Sequence, residues 1–284
     1  DNKFSDRVNY LEGTFPDYRQ YVNAGNKDHT IQVDYASPLT KQVSIEAGAK
    51  AILRNNYSNF HVDDRDSTTQ QYLTNTAQTN DFNYHQDIYS VYNSYQLKLE
   101  KWTGKAGLRL EYTSISADFT SAGVKTAPSY NNLIPSVSIQ RNFKSSSLNF
   151  GFTQRIQRPG IFQLNPFVDR SNPTFVNTGN PALKPELDNT FELTYSNFSK
   201  NAINIGLSYA FSNNSIQNVS SLRQENVNGK IDTITYTTFQ NLGANKTLGL
   251  NVNTNMSITK KFTLSLNGQV DHIWLSGTFN DKMY

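Results

Sequence analysis

The sequence predicts an all-β fold, an antiparallel transmembrane β-barrel, and three observations carry that prediction. Of 284 residues only 36% are hydrophobic, yet 12% are aromatic, with 16 Tyr and 17 Phe. This pairing fits strands that are apolar on the lipid face alone and carry aromatic girdles at both interfaces. Apolar and polar residues alternate over arms of about ten or more, longer than soluble strands and matched to a tilted strand crossing a bilayer. Connections between the arms alternate short and long, as periplasmic turns and outer loops do. A secreted soluble all-β domain shares the composition but has no reason to sort its loop lengths by end.

Residues 1–27 hold no sustained period and read as an entry segment; residues 28–284 read as barrel. The first clear pair is Thr30 to Ala36 and Val43 to Arg54, with Ile31, Val33 and Tyr35 matched by Val43, Ile45, Ala47 and Ala49, and with Ser37 to Gln42 as the turn. From Tyr57 to about Asn80 the chain is polar and reads as a long loop. Ile88 to Glu100 sets Tyr89, Val91, Tyr95 and Leu97 on one side, and Ala106, Leu108, Leu110 and Tyr112 return opposite them. Pairing Lys101 with Gly104 would set Leu99 against Ala106 and Glu100 across from Lys105, so that apolar side and charge agree. Ser116 to Asn131 reads as another long loop, Pro135 to Phe143 as a strand, and Lys144 to Ser146 as a turn.

Ser147 to Gln157 places Leu148, Phe150 and Phe152 on one face, with Asn149, Gly151, Thr153 and Arg155 on the other. About thirty residues follow in which repeated prolines forbid both a helix interior and a central strand, so the segment is a loop with fixed bends. Phe191 to Asn197 resumes the alternation, Asn197 to Asn201 turns, and Ile203 to Phe211 climbs again. Asn228-Gly229 is a type I′ hairpin signal. Leu248 to Ile258 alternates apolar with Gly, Asn and Ser, Thr259 to Lys261 turns, and Phe262, Leu264 and Leu266 begin the next arm. The strands number about ten.

Within the loop and its flanks, Arg155-Ile-Gln-Arg-Pro159, Leu164-Asn-Pro-Phe167 and Gly179-Asn-Pro-Ala-Leu-Lys-Pro-Glu186 resemble the barrel domain of Bacteroidetes TonB-dependent receptors. Gln32-Val-Asp-Tyr-Ala-Ser-Pro-Leu39 with Ile45-Glu-Ala-Gly-Ala-Lys50 is similar to an earlier hairpin of that family. The resemblance covers roughly Asp28 to Leu275. It implies a place in the bacterial outer membrane, within a roughly 22-strand barrel filled by an N-terminal plug domain. These residues contain no plug or TonB-contacting segment, so the chain is expected to be an internal piece; a closed barrel of about ten strands is the alternative. The resemblance further implies import of a nutrient (a glycan, a peptide or a metal chelate), with outer-membrane lipid, the plug, the TonB complex and a surface lipoprotein as partners and no cofactor. A plug-less porin or adhesin and a soluble carbohydrate-binding domain are the competing functions.

No run of about eighteen apolar residues marks a transmembrane helix, and the start carries no basic-then-apolar signal peptide. Zero Cys excludes a disulfide scaffold, a thiolate zinc site and a cysteine nucleophile. The net charge of +3 arises from 26 basic and 23 acidic residues without a block, so no nucleic-acid partner is expected. His61, Asp63, Asp64 and Asp66 form a weak candidate for a hard cation. Read as a calcium loop from Asp64, the segment puts Thr69 where the glycine belongs and Asn75 where the bidentate Glu belongs, so a solvated loop is the better reading. His29, His85 and His272 show no ligand spacing, and no enzyme activity is expected. The lumen-side charges Lys50, Lys98, Arg109, Glu111, Arg155, Glu192 and Asp271 are expected to pair with one another or with a plug. In the proline loop, Arg158, Phe162, Asn165, Phe167 and Asn180 are candidate ligand contacts. Pro181, Lys184, Pro185 and Glu186 are expected to lock the loop onto its strand.

Overall fold

The computed structural model describes residues 2–7, 17–172, 174–199, 201–227, 230–279 and 282–283. The long strands are β2 (Tyr18–Pro38), β3 (Val43–Arg65), β4 (Tyr72–Leu99), β5 (Trp102–Phe119), β7 (Ser129–Asn142), β8 (Ser146–Gln157), β11 (Glu186–Asn197), β12 (Ala202–Ser212), β15 (Ala244–Ser257) and β16 (Thr263–Ser276). Shorter pieces are β1 (Asn2–Arg7), β6 (Val124–Thr126), the helical turn α1 (Ile161–Leu164), β9 (Val168–Asn172), β10 (Phe175–Thr178), β17 (Thr278–Phe279) and β18 (Lys282–Met283), with the hairpin β13 (Ile216–Val227) and β14 (Lys230–Asn241). Twelve strands form one sheet in the order β1-β2-β3-β4-β5-β7-β8-β11-β12-β15-β16, with β6 on β5. Every pair in it is antiparallel. Setting aside β1 and β6, ten long strands make the wall, as the alternation indicates.

The alternation becomes one apolar surface because the register aligns it. Phe150 pairs with Leu193, Leu193 with Leu207, Leu207 with Leu250 and Leu250 with Val270, a hydrophobic row crossing five strands. These residues lie in the open, from 41% exposed at Leu193 to 71% at Val270. In water such a contiguous band is a liability; against hydrocarbon it is what a barrel wall requires. The opposite face is polar and receives the long connections.

Strand parity gathers the short turns at one end, and hydrogen bonds tie neighbouring turns together. The Lys98 amide donates to Gln42 at 2.8 Å, Asn142 to Lys101 at 2.7 Å and Phe198 to Ser145 at 2.8 Å. The other end carries the proline loop and the β13–β14 hairpin. There β13, β14, β10 and β9 form a second sheet, in which β10 runs parallel to β14. β13 and β14 pair as far as Val227 and Lys230, and the Asn228-Gly229 turn lies outside the described residues.

Several sequence expectations need correction. The polar stretch after Tyr57 is strand, not loop: β3 and β4 stay paired to Arg65 and Tyr72, leaving only Asp66 to Gln71 as the turn. Beyond the bilayer both faces of a strand meet water, so the hydropathy period fades while the backbone ladder continues. Likewise β5 runs to Phe119 and β7 begins at Ser129, shrinking the expected loop over Ser116 to Asn131. Finally, the β4–β5 hairpin turns on Glu100 and Lys101 alone, with Leu99 opposite Trp102 and Lys105 opposite Gln96. This register is four residues away from the expected one, and a slip by an even number of residues leaves every side chain on its face, so alternation does not discriminate between them. On the entry side, β2 begins at Tyr18, well before Thr30.

Candidate functional site: the lumen wall beneath the proline loop

The polar face of β2 to β5 carries a connected set of side chains at the positions that alternate with the lipid-facing ones. Gly48 on β3 leaves a gap that the ring of Tyr92, its register partner on β4, fills; a Cβ at Gly48 would fall 2.6 Å from that ring. Over this gap the Tyr92 hydroxyl donates to Asp34 on β2, and Gln32 donates to Asp34 at 2.8 Å. Arg109 on β5 lies 5.7 Å from the centre of the Tyr92 ring and donates twice to Glu111, at 3.0 and 2.8 Å. A parallel relay joins Asp28 to Arg54 at 3.5 Å, Arg54 to Gln86 at 3.0 Å and Gln86 to Tyr84 at 3.0 Å.

The proline loop closes onto this wall through Arg158. Its guanidinium forms an ion pair with Glu111 and donates to the Thr113 hydroxyl at 3.3 and 3.2 Å. The side chains are 16% exposed for Arg158 and 4% for Glu111. Two guanidiniums, Arg109 and Arg158, therefore share one buried carboxylate. Above it α1 turns Leu164 into an apolar cluster with Phe82, Tyr84, Ile115, Ala117, Phe119 and Leu183, sealing the loop against β4 and β5.

The loop holds its shape by close backbone approach. Gly179 passes the backbone of Asn165 so tightly that a Cβ would fall 2.4 Å from its carbonyl oxygen, and the Gly179 amide donates to that oxygen at 2.8 Å. Asn180 donates to the Phe239 carbonyl of β14 at 2.9 Å and accepts from the Ala182 amide at 3.0 Å. Asn165 donates to Asn80 at 3.1 Å and accepts from the Phe167 amide at 3.0 Å. Both asparagines thus frame the loop. Phe167 packs edge-on against Phe60 at 6.4 Å, while Phe162 stands 83% exposed.

The segment Pro181, Lys184, Pro185 and Glu186 joins the loop to the neighbouring hairpin as well as to β11. The Asn241 side chain accepts from the Lys184 amide at 2.8 Å and donates to its carbonyl at 2.9 Å. Glu186 accepts from the Ile216 amide at 2.5 Å. Two long outer connections are in this way one unit.

The remaining candidates are spread along the wall. Arg155 faces Asp188 across β8 and β11, Glu192 accepts from Thr194 at 3.1 Å, and Asp271 accepts from Gln269 at 2.7 Å. Ser90 donates to the backbone oxygen of Lys50 at 3.3 Å, and Lys98 lies opposite Thr103 near the short turns. The acidic candidate for a cation is dispersed: Asp63 accepts from Thr74 at 2.8 Å, Asp64 from Asn75 at 2.6 Å, and His61 stacks on Tyr21 at 4.7 Å. Asp66 caps the β3–β4 turn. The backbone amide of Thr69, then its hydroxyl and the Thr68 amide, hold the Asp66 carboxyl below the usual range. Among the described residues no cluster of His, Asp and Glu is arranged to hold a metal ion.

Tyr92, Asp34, Thr113, Arg54 and Gln86 belong to the network and were not among the sequence candidates. Their signal is phase: each occupies the polar-face parity of its strand, and a glycine within a strand invites an aromatic cover from the next.

Comparison with known proteins bears on this architecture at the level of family and fold. The model of the outer membrane protein beta-barrel family matches residues 1–283. The chain belongs to that family. It is a protein of the bacterial outer membrane. No curated protein sequence matches it. Among solved structures it is similar to the copper transporter OprC, with a TM-score of 0.65 at 12% identity, over 91% of this chain and 39% of that one. It is also similar to the ferric citrate transporter FecA in its unliganded form, with a TM-score of 0.59 at 15% identity, over 95% and 39%. The FrpB iron transporter from Neisseria meningitidis gives 0.54 at 15% identity, over 95% and 38%. At such identities the likeness is one of fold. The chain spans about two-fifths of these transporters' length.

Proposed function

We propose that this chain is part of the barrel wall of a TonB-dependent outer-membrane receptor that imports a nutrient: a glycan, a peptide or a metal chelate. The observation that carries the reading is the Arg158–Glu111 contact, which pins an outer loop to a charged wall where a ligand captured outside would have to pass inward. The similarity in fold to transporters of copper and iron supports it. In this reading a plug domain packs against the polar face of β2 to β5, the TonB complex supplies energy, and a surface lipoprotein adjoins the outer loops. Phe162, exposed on α1 near the start of the loop, is the first ligand contact, and Arg158 moves when the loop does.

Planar-bilayer conductance of the protein from its complete gene tests the proposal. A plugged receptor gives no steady conductance until a denaturant loosens the plug. Large ohmic steps from the untreated protein would instead establish the plug-less porin.

A further inference from the structure

Arg141 stands where the lipid face ends. The odd positions of β7 point Leu133, Val137 and Ile139 outward, each well exposed, and Arg141 is next in that row toward the short-turn end. It is exposed, and no carboxylate among the described residues lies within ion-pair reach of it. Two aromatic rings flank it instead: its guanidinium carbon is 5.2 Å from the centre of Trp102, its register partner on β5, and 5.1 Å from Phe143. Trp and other aromatic residues at a strand end mark headgroup depth, and a guanidinium flanked by rings instead of paired with a carboxylate keeps its planar fork free to bind an anion.

The surroundings are cationic. Lys101 is in the adjacent turn, where its carbonyl accepts from the Asn142 amide at 2.7 Å, and Lys144 follows Phe143. The sequence places lysine in every short turn, Lys41, Lys101, Lys144, Lys200 and the pair Lys260-Lys261, against one carboxylate, Glu100; Lys200 lies outside the described residues. At headgroup depth the anion within reach is the phosphodiester of a membrane lipid. Short turns face the periplasm, so that leaflet is phospholipid.

We propose that Arg141, held between Trp102 and Phe143 and backed by Lys101 and Lys144, is a binding site for the phosphate of an anionic phospholipid in the periplasmic leaflet. The site is independent of what the barrel carries. It fixes the depth of the wall in the membrane by anchoring its short-turn end.

Native mass spectrometry of the protein from its complete gene, in detergent with phosphatidylglycerol or phosphatidylcholine, reads the site directly. Retention of phosphatidylglycerol should exceed that of phosphatidylcholine, and Arg141→Gln should lower that preference by about fivefold, the loss of one basic group at a charged surface. Arg141→Lys should restore part of it, and millimolar inorganic phosphate should not displace the lipid. If Arg141→Gln does not fold, Trp102→Leu, which removes a ring and no charge, carries the test and should also weaken retention. Equal retention of both lipids, an unchanged preference in whichever of these two variants is measured, or displacement by inorganic phosphate alone would overturn the proposal.

Discussion

Arg158, the first residue of the proline loop, and Glu111, in the middle of β5, meet on the polar face of the wall although 47 positions separate them in the chain (158 − 111). The contact ties an outer loop to a strand that crosses the membrane. Removing one member of a buried pair leaves the other charge uncompensated, which typically costs about 3–5 kcal/mol. Glu111→Ala strands two guanidiniums, Arg109 and Arg158, whereas Arg158→Ala leaves Glu111 with Arg109. Urea unfolding in micelles should therefore show the larger loss for Glu111→Ala, on the order of 3 kcal/mol. Equal midpoints for the two variants would contradict the shared-carboxylate arrangement.

Gly179 is set by its approach to Asn165. In Gly179→Ala the new methyl meets backbone on both sides, at the Asn165 oxygen and amide and the Gln163 oxygen, so rotamer adjustment offers no relief. The loop should open to protease between Pro159 and Pro185, while the wall strands keep their protection in hydrogen exchange. A variant as resistant as the parent protein would show that the loop has another way to close.

The turn between β3 and β4 should loosen in acid. The folded carboxyl of Asp66 titrates below its unfolded value, so its contribution is full above the unfolded pKa and is lost as pH falls through the lower, folded one. Amide exchange at Thr68 and Thr69, corrected for intrinsic rates, should rise through that acid window. Asp66→Ala should exchange fast at every pH. Protection that does not change with pH in the parent protein would remove Asp66 as the cap.

Gln70 in the same turn holds a positive φ of 60° without being glycine. Gln70→Gly should relieve that conformation and leave the turn as well or better protected in exchange. A loss of protection would mean that the bond from the Gln70 side chain to the Ser67 carbonyl, at 2.7 Å, outweighs the backbone strain.

What the sequence made legible follows from where hydropathy has two sides. Phe150, Leu193, Leu207 and Leu250 face lipid and their neighbours do not, so the central parts of β8, β11, β12 and β15 were readable, although β11 begins at Glu186 and β15 at Ala244, ahead of the residues where the alternation is clear. The extension of β3 to Arg65 was not, because Asp63 and Asp64 point to opposite faces and water meets both. The β4–β5 register escaped because a slip of four residues, like any even slip, preserves every face. Within the proline loop the bends were legible from the prolines. The roles of Asn165 and Asn180 were not: their partners Asn80 and Phe239 come from distant strands, and an asparagine that frames a loop reads the same as one that awaits a ligand.

The central claim is that the exposed apolar row meets hydrocarbon, and a spin label at Val252 tests it most directly. Val252 pairs with Ile205 and Gly268 on the apolar side of β15, while Asn251 beside it covers Gly206 on the polar side. An arginine at a lipid-facing midplane position costs about 2–4 kcal/mol, whereas in a lumen it stays solvated, so Val252→Arg should impair folding into bilayers far more than Asn251→Arg. In a reconstituted bilayer the label at Val252 should collide with oxygen dissolved in the lipid and be shielded from a polar nickel chelate. A label that meets the chelate, or is buried from both reagents, would contradict the lipid-facing wall and the transport reading built on it.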